Sequence, residues 1–261
     1  LHVLEHVAEV DRAVGLRHRG GDENAAAHRR LGGCRKARHY RMRPGCDNHR
    51  PIRREPAEAM SSNRWKARQE KDPYVKQARA AGYRARAAFK LLELDEKDRL
   101  LRPGLKVVDL GAAPGSWAQV AAEKVGASGR VVALDILPMD PLPGVEIIEG
   151  DFREDEVLEQ LEGVVGEKVD LVLSDMAPNL SGIAVADQAR SMHLAELALD
   201  FARQWLEPNG RFVVKLFQGE GFDAFVRDAR ATFRAVRIRK PNSSRRESRE
   251  AYLVGDGLKP S

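Results

Sequence analysis

Short apolar runs alternate with amphipathic segments over most of the chain after residue 104. Five of the runs have the length and the β-branched content of strands, and they read LKVVDL, GRVVALDI, VEIIEG, KVDLVLSD and GRFVVKLF. Apolar residues recur at helical spacing in GSWAQVAAEKV, EDEVLEQLEGVV, ADQARSMHLAELALDFARQWL and GFDAFVRDARATF. Because strands that alternate with helices form right-handed βαβ units, the pattern predicts an α/β fold with a mainly parallel sheet covered on both faces.

The chain closes with two further strand-like runs, FRAVRIRK and EAYLVG, which are joined by the polar segment PNSSRRESR. No helical pattern separates these two runs. A parallel pair needs a long crossover connection, so we expect the last two strands to be antiparallel.

The first 59 residues differ in composition from the rest. They hold both cysteines and six of the seven histidines, and their net charge of +5 equals that of the whole chain. They show little apolar periodicity. We therefore divide the chain into a basic leader, residues 1–59, and one domain, residues 60–261, which is long enough to bury a substantial core.

Three interpretations of this leader stay open. It is a disordered basic arm that binds nucleic acid, or it results from a start codon assigned too far upstream of Met60, or it holds a zinc site. The candidate zinc ligands have a spacing that fits no standard finger, and they are Cys34, His39, Cys46 and His49. We expect a disordered or mis-assigned segment and no metal.

No signal-peptide layout and no apolar run of about 18 residues is present in the sequence. We therefore expect a soluble, cytoplasmic protein that does not bind a membrane. Both cysteines lie in the leader, so the domain has no disulfide framework.

The first strand continues into DLGAAPGSW, Asp109 to Trp117, where small residues join a strand to a helix. Glycine allows a ligand to approach the backbone, and a helix N-terminus offers unpaired N–H groups. This arrangement is typical of a nucleotide-cofactor site. The spacing G-x-x-x-G differs from the G-x-G-x-x-G of dinucleotide sites, which favours a cofactor without phosphates.

Acidic residues follow the next two strands. Asp135 ends the second strand, where a carboxylate can accept hydrogen bonds from ribose hydroxyls, and Asp151 follows the third strand in GDFRED, where it can contact a base. A helix N-cap is the alternative for Asp151.

The fifth strand holds a lysine, Lys215, at the inner end of the apolar run GRFVVKLF. Burial of an ammonium group is costly, which indicates a function. Asp175 ends the fourth strand, so both side chains are expected at the carboxyl edge of the sheet, where ligands bind in open α/β sheets. An edge-strand lysine is the alternative for Lys215, and a solvated surface position is the alternative for Lys90 and Glu250.

From about Asn63 to Lys259 the chain resembles the FtsJ/RrmJ group of ribosomal RNA 2′-O-ribose methyltransferases, the RlmE type. The resemblance is carried by RARAAFKL, VVDLGAAPGSW, LPMDP, GDFRED, SDMAPNLSG, VVKLFQGEGFD, RKPNSSRRESRE and AYLV. It implies a Rossmann-like, S-adenosylmethionine-dependent methyltransferase fold with a seven-stranded, mostly parallel sheet and an antiparallel C-terminal strand. It further implies methylation of a uridine 2′-hydroxyl in the A-loop of large-subunit (23S-type) ribosomal RNA, late in assembly of the 50S-type subunit. We expect a monomer.

The resemblance also assigns site residues. The family's catalytic set falls on Lys90, Asp175, Lys215 as proton acceptor, and Glu250. Its contacts with S-adenosylmethionine fall on Gly115, Trp117, Asp135, Asp151 and Asp175. Ser116 replaces a glycine found in many relatives, and because serine is small this departure puts little in doubt.

The chemistry of a ribose hydroxyl explains why a lysine would be needed. The hydroxyl is a poor nucleophile and must lose its proton or be polarised. Lys215 can accept that proton if it is held neutral, or it can stabilise the developing alkoxide as a cation. We expect Asp175 to orient Lys215 and to face the cofactor, and Glu250 to anchor a lysine or a ribose hydroxyl.

Charge is concentrated in two stretches of the domain. Residues 60–90 hold nine Lys and Arg against two acidic residues, and residues 234–250 hold seven against two. Each stretch contains a proposed catalytic residue, so we expect them to converge at one mouth that attracts RNA phosphates. Tyr83 and Tyr252 either stack on a base or pack in the protein.

Two other classes of function stay open. A noncatalytic RNA-binding assembly factor would keep the fold, but it has no need of Lys215 inside a strand. A methyltransferase for an amino group is the second class, because DMAP loosely resembles the D-P-P-Y motif of enzymes that methylate base amino groups. Asn179 stands where that motif has its aromatic residue, which counts against this class.

Overall fold

A computed structural model of the protein describes residues 72–260. The leader predicted for residues 1–59 and its four candidate zinc ligands lie outside the described residues, so those interpretations stay open. No helix within residues 72–260 is long and apolar enough to cross a membrane. The same residues contain no group of three or more His, Cys, Asp or Glu side chains arranged to hold a metal ion.

Six helices and seven strands make up the described part of the chain. The helices are α1 Pro73–Ala80, α2 Ala88–Asp98, α3 Ser116–Val125, α4 Asp155–Val165, α5 Ala184–Trp205 and α6 Phe222–Thr232. The strands are β1 Lys106–Leu110, β2 Arg130–Asp135, β3 Val145–Glu149, β4 Val169–Ser174, β5 Leu206–Phe217, β6 Phe233–Arg239 and β7 Glu250–Leu258. The predicted strands are all present, and β5 begins four residues before the apolar run GRFVVKLF.

The helix α1 was not predicted from the pattern of apolar residues. Its start is nevertheless marked in the sequence, because the carboxylate of Asp72 accepts a hydrogen bond from the Tyr74 N–H at 3.1 Å and Pro73 follows the cap directly. An aspartate cap followed by proline is a common helix start.

The strands form one seven-stranded sheet in the order β3-β2-β1-β4-β5-β7-β6. Strands β1 to β5 pair in parallel, and β7 pairs antiparallel with both β5 and β6. The predicted α/β fold, with a mostly parallel sheet and an antiparallel C-terminal strand, is confirmed. The order of strands changes direction between β1 and β4, which is the position where open α/β sheets bind ligands.

Helices cover both faces of the sheet, and a hydrophobic core lies under each layer. One core includes buried residues of α4, α5 and α6, and the other includes Leu91 and Leu94 of α2 together with the buried side of α3. Val213 and Tyr252 belong to the second core. Because side chains alternate along a strand, Lys215 on β5 and Glu250 on β7 lie on this same face, under α2.

Candidate active site

Lys215 lies inside the sheet. Its strand β5 is flanked by β4 and β7, so the interpretation as an edge-strand lysine is excluded. The residue is only 8% exposed. Its Nζ lies 3.1 Å from Asp175 Oδ1 and also donates a hydrogen bond to the backbone carbonyl of Asp175. The buried amino group of Lys215 is therefore held by the residue that follows β4.

Lys90 and Glu250 form a second charge pair beside the first. Lys90 Nζ lies 2.8 Å from Glu250 Oε1, and their side chains are 13% and 12% exposed. Neither residue is therefore a solvated surface charge. Glu250 opens β7 opposite Phe217 at the end of β5, and this pairing carries its carboxylate to the edge of the sheet where Lys215 lies.

The hydroxyl of Tyr252 connects the two pairs. It accepts a hydrogen bond from Lys90 Nζ at 3.1 Å and donates one to Asp175 Oδ1 at 2.8 Å. Burial, together with the nearby carboxylates of Asp175 and Glu250, raises the pKa of Tyr252 well above its ordinary value. The phenol therefore stays protonated and remains a hydrogen-bond donor to Asp175 at neutral pH.

Tyr252 is fully buried. It therefore packs in the protein, and the interpretation that it stacks on a base is wrong. Its ring packs against Trp117 at a centroid distance of 5.6 Å. The residue lies directly opposite Lys215 in the β5–β7 ladder. One signal in the sequence pointed to it, since Glu250 and Tyr252 are two residues apart and a strand places such residues on the same face.

The glycine-rich turn follows β1 at the switch point. Gly111 and Gly115 both have positive φ angles, 77° and 97°. A Cβ on Gly111 would lie 2.5 Å from Met176 Cγ and 2.7 Å from its Cα, and Met176 follows Asp175 directly. A side chain at Gly111 would thus push apart the turn and the segment that carries Asp175.

Asp135, the last residue of β2, and Asp151, which follows β3, hold local hydrogen bonds. Asp135 accepts the Ala113 N–H of the glycine-rich turn at 2.8 Å with one oxygen and the Leu137 N–H at 2.8 Å with the other. The carboxylate of Asp151 pairs with the guanidinium of Arg153, which lowers the pKa of that carboxyl. Asp151 is not the N-cap of α4, since that position belongs to Glu154.

Trp117 lies in the first turn of the helix α3 with its side chain turned into the protein. The residue is 2% exposed, and its indole N–H donates a hydrogen bond of 2.8 Å to the carbonyl of Ala87. Ala87 directly precedes α2 and lies three residues before Lys90. The indole hydrogen bond therefore joins the helix that follows the glycine-rich turn to the segment that leads into α2 and carries Lys90.

Asp109, at the end of β1, is fully buried, and neither of its carboxyl oxygens has a hydrogen-bond partner of good geometry in the described part of the chain. Burial, with the charge of Asp175 as the second cause, raises the pKa of Asp109 well above its ordinary value, and the nearby Ala118 N–H only partly opposes this. This environment favours the protonated form of the Asp109 carboxyl group under the glycine-rich turn.

The turn and its surroundings fit S-adenosylmethionine chemically. Among the described residues no side chain caps the N-terminus of α3, so its first N–H groups can meet a carboxylate. Acidic side chains lie at the carboxyl ends of β2, β3 and β4, at the same edge of the sheet, where they can accept hydrogen bonds from an amino group or from ribose hydroxyls. These are the groups that an amino-acid nucleoside carries.

A basic cleft of about 910 Å³ adjoins the space that the Lys90–Glu250 pair lines, since Arg86 and Arg245 line both. Cations from both basic stretches line it, and they are Arg86, Lys240, Arg245 and Arg246. An adjoining space of about 350 Å³ is lined by Lys90 and Glu250. Side chains of both basic stretches thus line one cleft, as predicted.

Other cations of these stretches are bound inside the protein. Arg237 and Arg239 pair with the buried carboxylate of Asp98, and Arg234 donates to the carbonyl of Pro208. The charge count of the sequence therefore overstates the number of cations that are available to a phosphate.

The fold and the site together define the class of S-adenosylmethionine-dependent methyltransferases. The sheet has seven strands and is mostly parallel with an antiparallel β7, and a glycine-rich turn and acidic strand ends lie at its switch point. The comparison with family models agrees. The chain belongs to the FtsJ-like methyltransferase family, whose model matches residues 83–258. The protein is accordingly a methyltransferase that uses S-adenosylmethionine as its methyl donor.

Curated relatives are similar over most of their length. A protein of Azoarcus sp. (strain BH72) named Ribosomal RNA large subunit methyltransferase E is 61% identical over 200 residues, which is 76% of this chain and 98% of that protein. The protein of the same name from Marinobacter nauticus is 58% identical over 204 residues, 78% of this chain and 99% of its own.

A solved structure has the same fold. The crystal structure of a Plasmodium falciparum protein described as a ribosomal RNA methyltransferase is 31% identical in sequence, with a TM-score of 0.60. The match covers 67% of this chain and 98% of that one.

Proposed function

We propose that the protein transfers a methyl group from S-adenosylmethionine to the 2′-hydroxyl of a uridine in the A-loop of large-subunit ribosomal RNA. In this proposal it acts as a cytoplasmic monomer on a late assembly form of the 50S-type subunit. The names of the relatives from Azoarcus and Marinobacter support ribosomal RNA as the substrate. The observation that carries the proposal is the buried Lys215–Asp175 pair beside the Lys90–Glu250 pair and a basic cleft.

The choice of a hydroxyl acceptor follows from the side chains at the site. A ribose hydroxyl has to lose a proton before or during methyl transfer, and a buried lysine that is held neutral can serve that need, with the carboxylate of Asp175 orienting it. Asn179 follows Pro178 after β4, where an enzyme for base amino groups would present an aromatic ring. The site therefore favours ribose over base.

Each residue has a role in this proposal. Lys215 accepts the proton of the 2′-hydroxyl, and Asp175 orients Lys215 through the contact of 3.1 Å. Lys90, held by Glu250 at 2.8 Å, adds positive charge beside the reacting oxygen and stabilises the alkoxide as it forms. The Tyr252 hydroxyl holds Lys90 and Asp175 in fixed positions relative to each other through its two hydrogen bonds.

Five residues hold the cofactor in this proposal, and they are Gly115, Trp117, Asp135, Asp151 and Asp175. S-adenosylmethionine supplies an electrophilic methyl group on a sulfonium. The turn at Gly115 and the N-terminus of α3, which Trp117 helps to build, bind its amino-acid end, while Asp135 and Asp151 bind the nucleoside end.

The basic cleft binds the RNA backbone. Its cations neutralise phosphates without reading sequence, which positions the target ribose near Lys215. RNA affinity should consequently fall with rising salt concentration.

The proposal is tested by transfer of labelled methyl from S-adenosylmethionine to undermethylated large ribosomal subunits, followed by nucleoside analysis. We expect the label on a uridine 2′-oxygen with the wild type. Lys215→Met should bind S-adenosylhomocysteine but transfer no methyl, while Lys97→Met, at an exposed position in the last turn of α2, should match the wild type. Label on a base, or transfer by Lys215→Met at the wild-type rate, would refute the proposal.

A further inference from the structure

We propose that Arg84 is a positioning residue of the cofactor site, and that it does not serve mainly as one of the cations that bind RNA. Its guanidinium ties the glycine-rich turn to the segment that follows β2. The inference rests on the proposed cofactor contact of Gly115 and is independent of the identity of the RNA.

The guanidinium of Arg84 donates to three backbone carbonyls. Its Nη1 donates to Pro114 O at 3.0 Å and to Asp140 O at 2.8 Å, and its Nη2 donates to Pro141 O at 2.8 Å. These carbonyls belong to two loops, 30 and 56 to 57 residues further along the chain. A planar guanidinium with a fixed fork of donors is suited to holding several acceptors at once.

The same guanidinium packs against the turn itself. A Cβ placed on Gly115 would lie 2.8 Å from Arg84 Nη1 and 2.9 Å from Leu142 Cδ1. On the other side of Pro114, the carboxylate of Asp135 accepts the Ala113 N–H at 2.8 Å. The turn is thus held from two sides, by a carboxylate that accepts and a guanidinium that donates.

The backbone around Arg84 is tied to α3 as well. The Arg84 N–H donates to Gln119 Oε1 at 3.2 Å, and the amide nitrogen of Gln119 donates to the Gly82 carbonyl at 3.0 Å. The indole of Trp117 reaches the Ala87 carbonyl, three residues further along. The segment from Arg84 to Lys90 therefore connects the cofactor turn with the second lysine of the site.

Arg84 differs in this respect from Arg246, an exposed cation of the cleft. Arg84 is absent from the residues that line the cleft, and Arg86, which does line it, is itself paired with Asp72 and donates to the Ser243 carbonyl. A phosphate would have to compete with three carbonyls for the Arg84 donors. The charge of Arg84 is hence used inside the protein, although the sequence counts it with the basic stretch of residues 60–90.

The test uses Arg84→Lys, which keeps the charge but replaces the fork by a single ammonium group that cannot reach all three carbonyls. Affinity for S-adenosylhomocysteine is measured by calorimetry without RNA, and affinity for ribosomal RNA is measured separately. We expect cofactor affinity to fall about tenfold, the effect of one or two lost hydrogen bonds, and RNA affinity to stay within about twofold because the charge is kept. Amide exchange at residues 112–116 and 138–142 of the free protein should become faster.

Arg246→Gln is the matched control for a cation of the cleft. It should weaken RNA binding and lower its salt dependence by about one phosphate contact, and it should leave affinity for S-adenosylhomocysteine unchanged. Wild-type cofactor affinity in Arg84→Lys would overturn the inference, and so would unchanged amide exchange in both loops. If Arg84→Lys does not fold, Gln119→Met tests the same segment, and cofactor affinity equal to that of the wild type in that variant would also overturn it. Failure of the proposed ribose methylation would instead appear in the nucleoside analysis.

Discussion

The Tyr252 hydroxyl donates a hydrogen bond of 2.8 Å to Asp175 Oδ1, and it is fully buried while it does so. Asp175 also contacts the Nζ of Lys215. On its other side the hydroxyl receives a hydrogen bond from Lys90. One neutral phenol therefore couples the orientation of the carboxylate to both lysines.

Replacement of Tyr252 by phenylalanine keeps the ring and its packing on Trp117 but removes the hydroxyl and its hydrogen bonds to Lys90 and Asp175. We expect kcat to fall about tenfold or more, because Asp175 and Lys90 each lose a buried hydrogen bond, while the KM for S-adenosylmethionine changes little. Steady-state kinetics on undermethylated subunits checks this. Tyr83→Phe is the control, since the Tyr83 hydroxyl contacts only Glu123, at 3.4 Å on the surface, among the hydrogen bonds described for it. Equal kcat values for the two variants would show that the link has no role.

Replacement of Lys215 by arginine separates the two chemical roles considered for it. A guanidinium remains charged at any pH used in an assay, so it can stabilise an alkoxide but cannot accept a proton. We expect Lys215→Arg to lose at least about a hundredfold in kcat, within the range of general-base effects. Single-turnover transfer with saturating cofactor measures it. Activity within about tenfold of the wild type would instead favour a charged stabiliser.

Much of this architecture follows from local pattern. The strands β1 to β5 were predictable because a buried parallel strand appears as a short apolar run, and Asp175 and Lys215 were expected together because the carboxyl ends of neighbouring parallel strands meet at one edge. The cost of burying an ammonium group singled out Lys215 without any knowledge of its partners.

The links between these residues were less predictable, since they depend on contacts between distant parts of the chain. The role of Tyr252 requires the register of the antiparallel β5–β7 ladder, which sets it opposite Lys215. The role of Arg84 requires the position of two loops at least 30 residues away. A count of charges in the sequence likewise does not show that Arg237 is paired with Asp98 inside the protein.

Replacement of Gly111 by alanine should disturb the contact between the glycine-rich turn and the segment that carries Asp175 and Met176. The new Cβ would meet backbone atoms of Met176 at 2.7 and 2.8 Å, which cannot move aside as a flexible side chain does. We expect weaker binding of S-adenosylhomocysteine by calorimetry and a lower Tm. Gly126→Ala is the matched control, because Gly126 also has a positive φ, 65°, but has open space around its Cβ position. It should cost only the backbone strain of about 1–3 kcal/mol at this φ and ψ and leave cofactor affinity intact; equal effects of the two variants on affinity would contradict the role of the contact.

Replacement of Asp109 by asparagine should change how stability depends on pH. The pKa of Asp109 is raised well above its ordinary value of 3.8 by burial and by Asp175, so the folded protein keeps a proton that the unfolded chain releases. Its contribution to stability is then full below about pH 3.8 and is lost progressively as the pH rises toward the folded pKa. Asparagine cannot ionise, so we expect the Tm of Asp109→Asn relative to the wild type to increase from about pH 5 to about pH 7.5, as measured by thermal unfolding at ~0.5-unit steps.

Asp98→Asn is the control, because the pKa of the Asp98 carboxyl group is shifted in the opposite direction to that of Asp109. Burial opposes ionisation of Asp98, but hydrogen bonds from Arg239 and Arg237 outweigh it, and the pKa of Asp98 is lowered from 3.8. A lowered pKa gives a contribution to stability that is present above about pH 3.8 and is lost only as the pH falls through the folded value. Asp98→Asn should therefore lower the Tm by the same amount at about pH 5 and at about pH 7.5. If Asp109→Asn also showed a constant difference over this range, Asp109 would be ionised in the folded protein, and the raised pKa of this carboxyl group would be contradicted.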